Sequence, residues 1–156
     1  MYLSLCSAVL LAGCPAASDV PGGTGGTIAS MTVQGVQPGN RECRKPANAD
    51  ALVDRVLELV NLERTQRGLD PVMLNPILCK MADDFACDMI ENNFFDHVNL
   101  SGKGPGQRAL DAGYVFLAIG ENLAGGQTSP EQVMSEWMAS TQGHRENILQ
   151  AQWREI

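Results

Sequence analysis

Three side chains have types and settings that could carry chemistry: His97, Glu121 and His144. The chain has two histidines, and each follows a segment of helical pattern. His97 lies in Phe94-Phe95-Asp96-His97, and His144 opens His144-Arg145-Glu146-Asn147. Glu121 lies between them in Gly120-Glu121-Asn122-Leu123, an apolar, glycine-flanked run. A lone carboxylate in such a setting is costly to bury, so Glu121 needs a partner. Two imidazoles and a carboxylate could hold a divalent ion such as zinc, act as an acid/base pair, or form a polar network that fixes loops. The residue types leave all three open. His144-Arg145-Glu146-Asn147 lacks the His-Glu-x-x-His spacing of zinc proteases, and neither a Gly-x-Ser-x-Gly elbow nor a P-loop occurs. Ser101 and Ser140 sit in no recognisable nucleophile motif.

The elements that must position these groups can be read from spacing. Asn48 or Asp50 can cap a helix running to about Arg67, with Gly68 just past its end. Leu52, Val56, Leu59, Val60 and Glu63 form its stripe, which leaves Asp54, Arg55, Glu58 and Arg64 elsewhere on its surface. Asn75-Pro76 reads as a cap and first-turn proline opening a second helix to about Asn92. Its buried stripe is Leu78, Met81, Ala82, Phe85, Met89 and Ile90. Residues 99–108 read as a loop, Arg108–Ala112 as a helical turn, and Tyr114–Ala118 as a short strand. Ser129-Pro130-Glu131-Gln132 is a capping box opening a helix with Val133, Met134, Trp137 and Met138 inside, ending near Ser140. His144–Leu149 adds a further turn.

The 156 residues are 44% hydrophobic and 19% charged, which fits a globular chain. A net charge of −7 argues against a nucleic-acid partner, which needs clustered Lys and Arg. No apolar run reaches the roughly 18–20 residues that span a bilayer. Residues 1–13 are uncharged and mostly apolar, like the core of a signal peptide, and Leu11-Ala12-Gly13-Cys14 resembles a bacterial lipobox. Cys14 would then carry a lipid. Residues 14–48 read as a flexible tether around Gly22-Gly23-Thr24-Gly25-Gly26-Thr27, and residues 49–156 as the folded domain.

With Cys6 in the leader and Cys14 lipidated, Cys43, Cys79 and Cys87 remain. Cys79 and Cys87 share one predicted helix, about 12 Å apart along its axis, too far for a disulfide. Cys43 can pair with either one. Placement of Cys87 on the Asp84 and Asp88 side favours it over Cys79, and three reduced thiols are the alternative.

Four segments together resemble the CAP superfamily (cysteine-rich secretory proteins, antigen 5, pathogenesis-related 1), whose domain is also called SCP. They are Val60-Asn61-Leu62-Glu63-Arg64 with Arg67-Gly68-Leu69-Asp70-Pro71; Phe94-Phe95-Asp96-His97; Gly120-Glu121-Asn122-Leu123; and Trp137-Met138-Ala139-Ser140 leading to Gly143-His144-Arg145-Glu146-Asn147-Ile148-Leu149. The last is similar to the bacterial secreted branch. The resemblance covers about residues 49–156. It implies an α+β fold, an α-β-α sandwich with helices on both faces of a small antiparallel sheet. It also implies a cleft of His97, Glu121 and His144, with Asn61, Arg64, Asn122, Trp137 and Asn147 as structural motif residues. Ser140 stands where many eukaryotic members carry a second acid, and Glu136 does not match that place.

The implied function is that of a cell-envelope protein, lipid-anchored or secreted, which binds a lipid, small molecule or envelope partner without catalysis. No cofactor is required, and zinc is the ion the cleft could take. The alternative is metal-assisted, protease-like hydrolysis by His97, Glu121 and His144. In the family, sheet strands follow a segment like Glu155-Ile156, so the resemblance implies that C-terminal strands are missing here. The apolar stripes at Leu52–Val60, Leu78–Met89 and Val133–Met138 would then be uncovered, giving exposed apolar surface and poor stability.

Overall fold

A computed structural model describes the backbone of residues 7–13 and the whole of residues 43–156. Cys14 and most of the tether lie outside the described residues. The elements in order are β1 (Ser7–Gly13), α1 (Ala49–Thr65), α2 (Pro76–Glu91), α3 (Pro105–Asp111), β2 (Ala118–Ala124), α4 (Pro130–Ala139) and α5 (His144–Ile148). β1 and β2 pair antiparallel, with Leu10 opposite Glu121. No described helix is long and apolar enough to cross a membrane.

β2 explains the layering. Successive side chains on a strand point to opposite faces. Leu123 packs with Phe85 and Met89 of α2, and Ile119 packs toward Leu78, Met81 and Ala109. Ala118 and Ala124 belong to the opposite cluster, with Val56 and Val60 of α1, Val133, Met134 and Trp137 of α4, and Ile148 of α5. The strand is therefore covered on one side by α2 and α3 and on the other by α1, α4 and α5. This is helix–strand–helix layering of mixed α and β content. Glu121 shares the parity of Ile119 and Leu123 and points toward α2 and α3. Gly120 and Asn122 point toward α5.

Several expectations need correction. The strand lies at Ala118–Ala124 rather than Tyr114–Ala118. Burial on both faces removes the apolar–polar alternation by which a half-buried strand is recognised. Arg64 is not a surface residue of α1 but is completely buried, because main-chain carbonyls surround its guanidinium. α3 begins at Pro105, so residues 105–108 are helix rather than loop. The Ser129 hydroxyl accepts from the Gln132 N–H as expected, but the Gln132 side chain reaches back to the Thr128 N–H instead of that of Ser129.

The apolar stripes are also covered. Val56, Val60, Leu78, Met81, Phe85, Met89, Val133, Met134 and Trp137 are all buried. Val72, Trp153 and Ile156 join the α1/α4 cluster, and Ala109 and Tyr114 close over α2. The segment that carries Trp153 and Ile156 is held by a short parallel bridge. Met73 N–H donates to the Arg154 carbonyl at 3.0 Å, and Ile156 N–H donates to the Met73 carbonyl at 2.8 Å. Large exposed apolar side chains lie mostly in the connections, as with Leu100, Val115 and Leu117.

Cys43 and Cys87 form a disulfide with Cα atoms 5.2 Å apart, tying the segment before α1 to α2. Cys79 forms no disulfide among the described residues, and burial pushes its thiol pKa up.

Candidate functional site

The site is built around Glu121, whose side chain is 1% exposed. One carboxylate oxygen meets His97 Nδ1 at 2.8 Å. The other accepts from Arg108 Nη2 in an ion pair. The partner that a buried Glu121 requires is therefore double. Arg108 comes from α3, and its Nη1 also donates to the His97 carbonyl at 2.7 Å and to the Lys103 carbonyl at 3.1 Å. One arginine thus holds both the carboxylate and the loop that carries the histidine. Its guanidinium lies 3.5 Å from the centroid of the Phe85 ring. That stacking is a cation–π contact, and it covers the buried Arg108 Nε, which has no hydrogen-bond partner among the described residues.

His144 is placed by a different set of contacts. Gly143 precedes it at φ 96°, a left-handed conformation that favours glycine and turns the chain into α5. The His144 carbonyl accepts from Asn122 Nδ2 at 3.0 Å, and Asn122 Oδ1 accepts from Asn147 Nδ2 at 2.9 Å. Its ring Nδ1 lies 2.9 Å from Ser140 Oγ, which also accepts the Gln142 N–H at 3.0 Å. Burial pushes the His144 pKa below its ordinary value, and the positive charge available to His97 pushes it further the same way. His144 lines an open cleft of about 430 Å³ with Leu123, Gln127, Glu136, Trp137 and Ser140.

The motif residues act as struts. Asn61 makes a two-way bond with Val72, donating to its carbonyl at 2.9 Å and accepting its N–H at 2.8 Å. Arg64 donates to the carbonyls of Asp70, Ile148, Gln150 and Trp153. Trp137 Nε1 donates to the Leu123 carbonyl at 3.1 Å, locking α4 to β2. Trp153 Nε1 donates to the Asn147 carbonyl at 2.5 Å.

Gly120 must lack a side chain. A Cβ there would come within 2.1 Å of Asn147 Oδ1. Gly120→Ala should therefore break the Asn122–Asn147 bond beneath His144 and cost about 1–3 kcal/mol, the range for overpacking a tight site. Thermal unfolding read beside the spectrum of His144 checks this. An unchanged midpoint would mean that Asn147 has room to move.

The structure thus joins His97 to Glu121 and seats His144 separately, on Ser140 and Asn122. Among the described residues no hydrogen bond links His144 to Glu121. Nor is any group of three or more His, Cys, Asp or Glu side chains among them placed to hold a metal ion. Arg108 was missed as a site residue. Its signal was available in principle, since a buried carboxylate calls for a cation, but Arg108 lies beyond an irregular loop whose path spacing does not fix.

Comparison with known proteins completes the site. The family model described as "Cysteine-rich secretory protein family", CAP, matches residues 57–156. The chain is 36% identical over 117 residues to "Uncharacterized protein YkwD" of Bacillus subtilis (strain 168), covering 75% of this chain and 45% of that protein. It is 29% identical over 103 residues to "Uncharacterized membrane protein YlbC" of the same organism, covering 65% of this chain and 29% of that protein. The chain thus spans less than half the length of either relative. No solved structure matches it. The family match takes in His97, Arg108, Glu121, Asn122, Trp137, His144 and Asn147 together, and on that footing the chain belongs to the CAP family.

Proposed function

We propose that this CAP domain is a non-catalytic binding module of the cell envelope, taking its ligand in the cleft beside His144. One observation carries the reading: both oxygens of Glu121 are already engaged, by His97 and by Arg108, on a side chain that is 1% exposed. A carboxylate held so is a strut and is poorly placed to serve as a general base, which must reach the proton it removes. Catalytic zinc sites draw three protein ligands. With Glu121 committed, His97 and His144 could offer one ring nitrogen each, so the donor set falls short. Lipids, small molecules and envelope proteins remain the classes of partner for the module.

The test is a peptidase assay on a generic peptide mixture, with zinc calorimetry beside it. No turnover is expected, and no saturable heat at micromolar zinc. Turnover lost in Glu121→Gln, or zinc binding lost in His97→Ala/His144→Ala, would overturn the reading in favour of metal-assisted hydrolysis.

We further place the protein outside the cytoplasm, anchored through Cys14; cleavage before Cys14 would remove β1 and leave β2 between its two helix layers. Support comes from the lipobox-like Leu11-Ala12-Gly13-Cys14 and from the Cys43–Cys87 disulfide, which suits an oxidising compartment. One relative is itself called a membrane protein. Cys14→Ser should shift the full chain from the membrane to the soluble fraction. Wild-type protein already in the soluble fraction would refute the anchor.

A further inference from the structure

We propose that the edge of β2 is a strand-acceptor slot, which β1 fills before cleavage and which an extended, uncharged segment of a partner polypeptide enters afterwards. The inference rests on the processing at Cys14 proposed above.

β1 and β2 pair over their full lengths, from Ser7 opposite Ala124 to Gly13 opposite Ala118. An antiparallel ladder directs alternate main-chain N–H and C=O groups of β2 at its neighbour. Among the described residues no other strand pairs with β2. Removal of residues 1–13 therefore strips those groups of their partners. Glu121, Asn122, Leu123 and Ala124 are buried with β1 in place. Main-chain groups left unpaired in such a setting are costly, and an unpaired strand edge is a template for another strand.

The slot keeps its shape without β1, because other contacts hold β2. Trp137 Nε1 donates to the Leu123 carbonyl at 3.1 Å. His97 and Arg108 grip the Glu121 carboxylate. Asn122 donates to the His144 carbonyl and accepts from Asn147. None of these contacts involves β1. An edge fixed beforehand lowers the ordering cost of the strand that joins it.

The residues of β2 select the occupant. Ile119 and Leu123 join apolar clusters on one face. On the other face Ala118 and Ala124 are small, and Gly120 has no side chain. Glu121 is the one charge in β2 and is already matched by Arg108. The strand therefore offers no free charge to an incoming segment, and Ser7–Gly13 is itself uncharged. Recognition falls to main-chain groups, which is strand addition and demands extended backbone. α2 lies against β1 as well as β2, so the helix layer reaches past the edge of β2. A second copy pairing β2 to β2 would set its own helix layers against these, whereas a single strand meets no such obstacle.

The test uses the full chain labelled with 15N and carrying Leu10→Pro/Leu11→Pro. Successive amides of a strand point to opposite edges, so one of the two prolines removes a donor to β2. Alternate amides of Ala118–Ala124 should then exchange about tenfold faster than in the wild type, roughly the net worth of one hydrogen bond. A synthetic peptide of residues 7–13, with two lysines appended for solubility, should restore protection saturably in the variant and leave the wild type unchanged. The same peptide N-methylated at the positions of Leu10 and Leu11 keeps its side chains but not its ladder, and it should restore nothing. Equal exchange in variant and wild type would overturn the proposal, as would equal action of the two peptides or no action by either. A dimer of the variant by light scattering would overturn it in favour of a second copy. If the variant loses its helical circular dichroism, recovery of that signal with the peptide supports the slot, and no recovery overturns it. Wild-type protein found in the soluble fraction would refute the anchor but leave the peptide result standing, so the two failures are distinguishable.

Discussion

Arg108→Met should destabilise the domain by about 3–5 kcal/mol, the cost of removing one partner of a buried ion pair. Glu121 is 1% exposed and Arg108 9% exposed at the side chain, so water can replace little of what the mutation removes. The lost guanidinium also held the carbonyls of His97 and Lys103 and stacked on Phe85. The double change Arg108→Met/Glu121→Leu should recover a large part of the loss, because both charges then leave the interior together. Urea unfolding of the wild type, the single and the double variant checks the cycle. Arg55→Ala is the contrast: its bonds to Glu58 and Glu131 are exposed, and solvent and salt screen such pairs so that they add little to stability. If Arg108→Met costs no more than Arg55→Ala, the buried pair is not what holds the site. The His97 resonances should also move in Arg108→Met, since the arginine anchors that loop through its main chain.

How far the site could be read from the sequence depended on whether the signal was local. Asn75 does cap α2, accepting from the Ile77 and Leu78 N–H groups, because capping is settled within four residues. The stripes of α2 and α4 are buried as their spacing requires, for the same reason. His97, Glu121 and His144 could be picked out because histidine is rare here and a carboxylate in an apolar run is conspicuous. Their partners could not be read so easily. Arg108 and Arg64 look like surface residues by type, yet each is buried by groups brought in from distant segments. Neither burial leaves a periodic trace. β2 was displaced for a related reason: its two faces are both covered, so its sequence lacks alternation. Gly120 and Gly143 were visible as glycines, but the first is required by Asn147 and the second by its left-handed φ. Only the packing distinguishes these causes.

Arg64 should show the second large effect, and through a different mechanism. It is completely buried, and among the described residues no carboxylate is hydrogen-bonded to it. Its charge is balanced instead by four main-chain carbonyls, at 2.9 Å for Asp70, 2.8 Å for Ile148, 2.9 Å for Gln150 and 3.4 Å for Trp153. Burial lowers its pKa from the ordinary arginine value, and Arg154 adds in the same direction. Arginine still remains protonated, and its five donors in a planar fork suit several carbonyls at once. Arg64→Met would leave the buried Ile148 carbonyl without that donor, while the Trp153 carbonyl keeps Arg154 Nη1 at 2.8 Å. At about 1–3 kcal/mol for the unsatisfied Ile148 carbonyl, with the part-buried bonds to Asp70 and Gln150 lost besides, the expected loss is about 2–4 kcal/mol. Arg64→Lys keeps the charge but not the fork, and it should fall between wild type and Arg64→Met. Because Ile148 closes α5, loosening it should also shift His144 and Asn147 and raise amide exchange from residue 148 to residue 153. Lysine matching wild type in both unfolding and exchange would show that a point charge suffices there. Loss of stability with no change near His144 would mean that Asn122 and Ser140 alone hold that histidine in place.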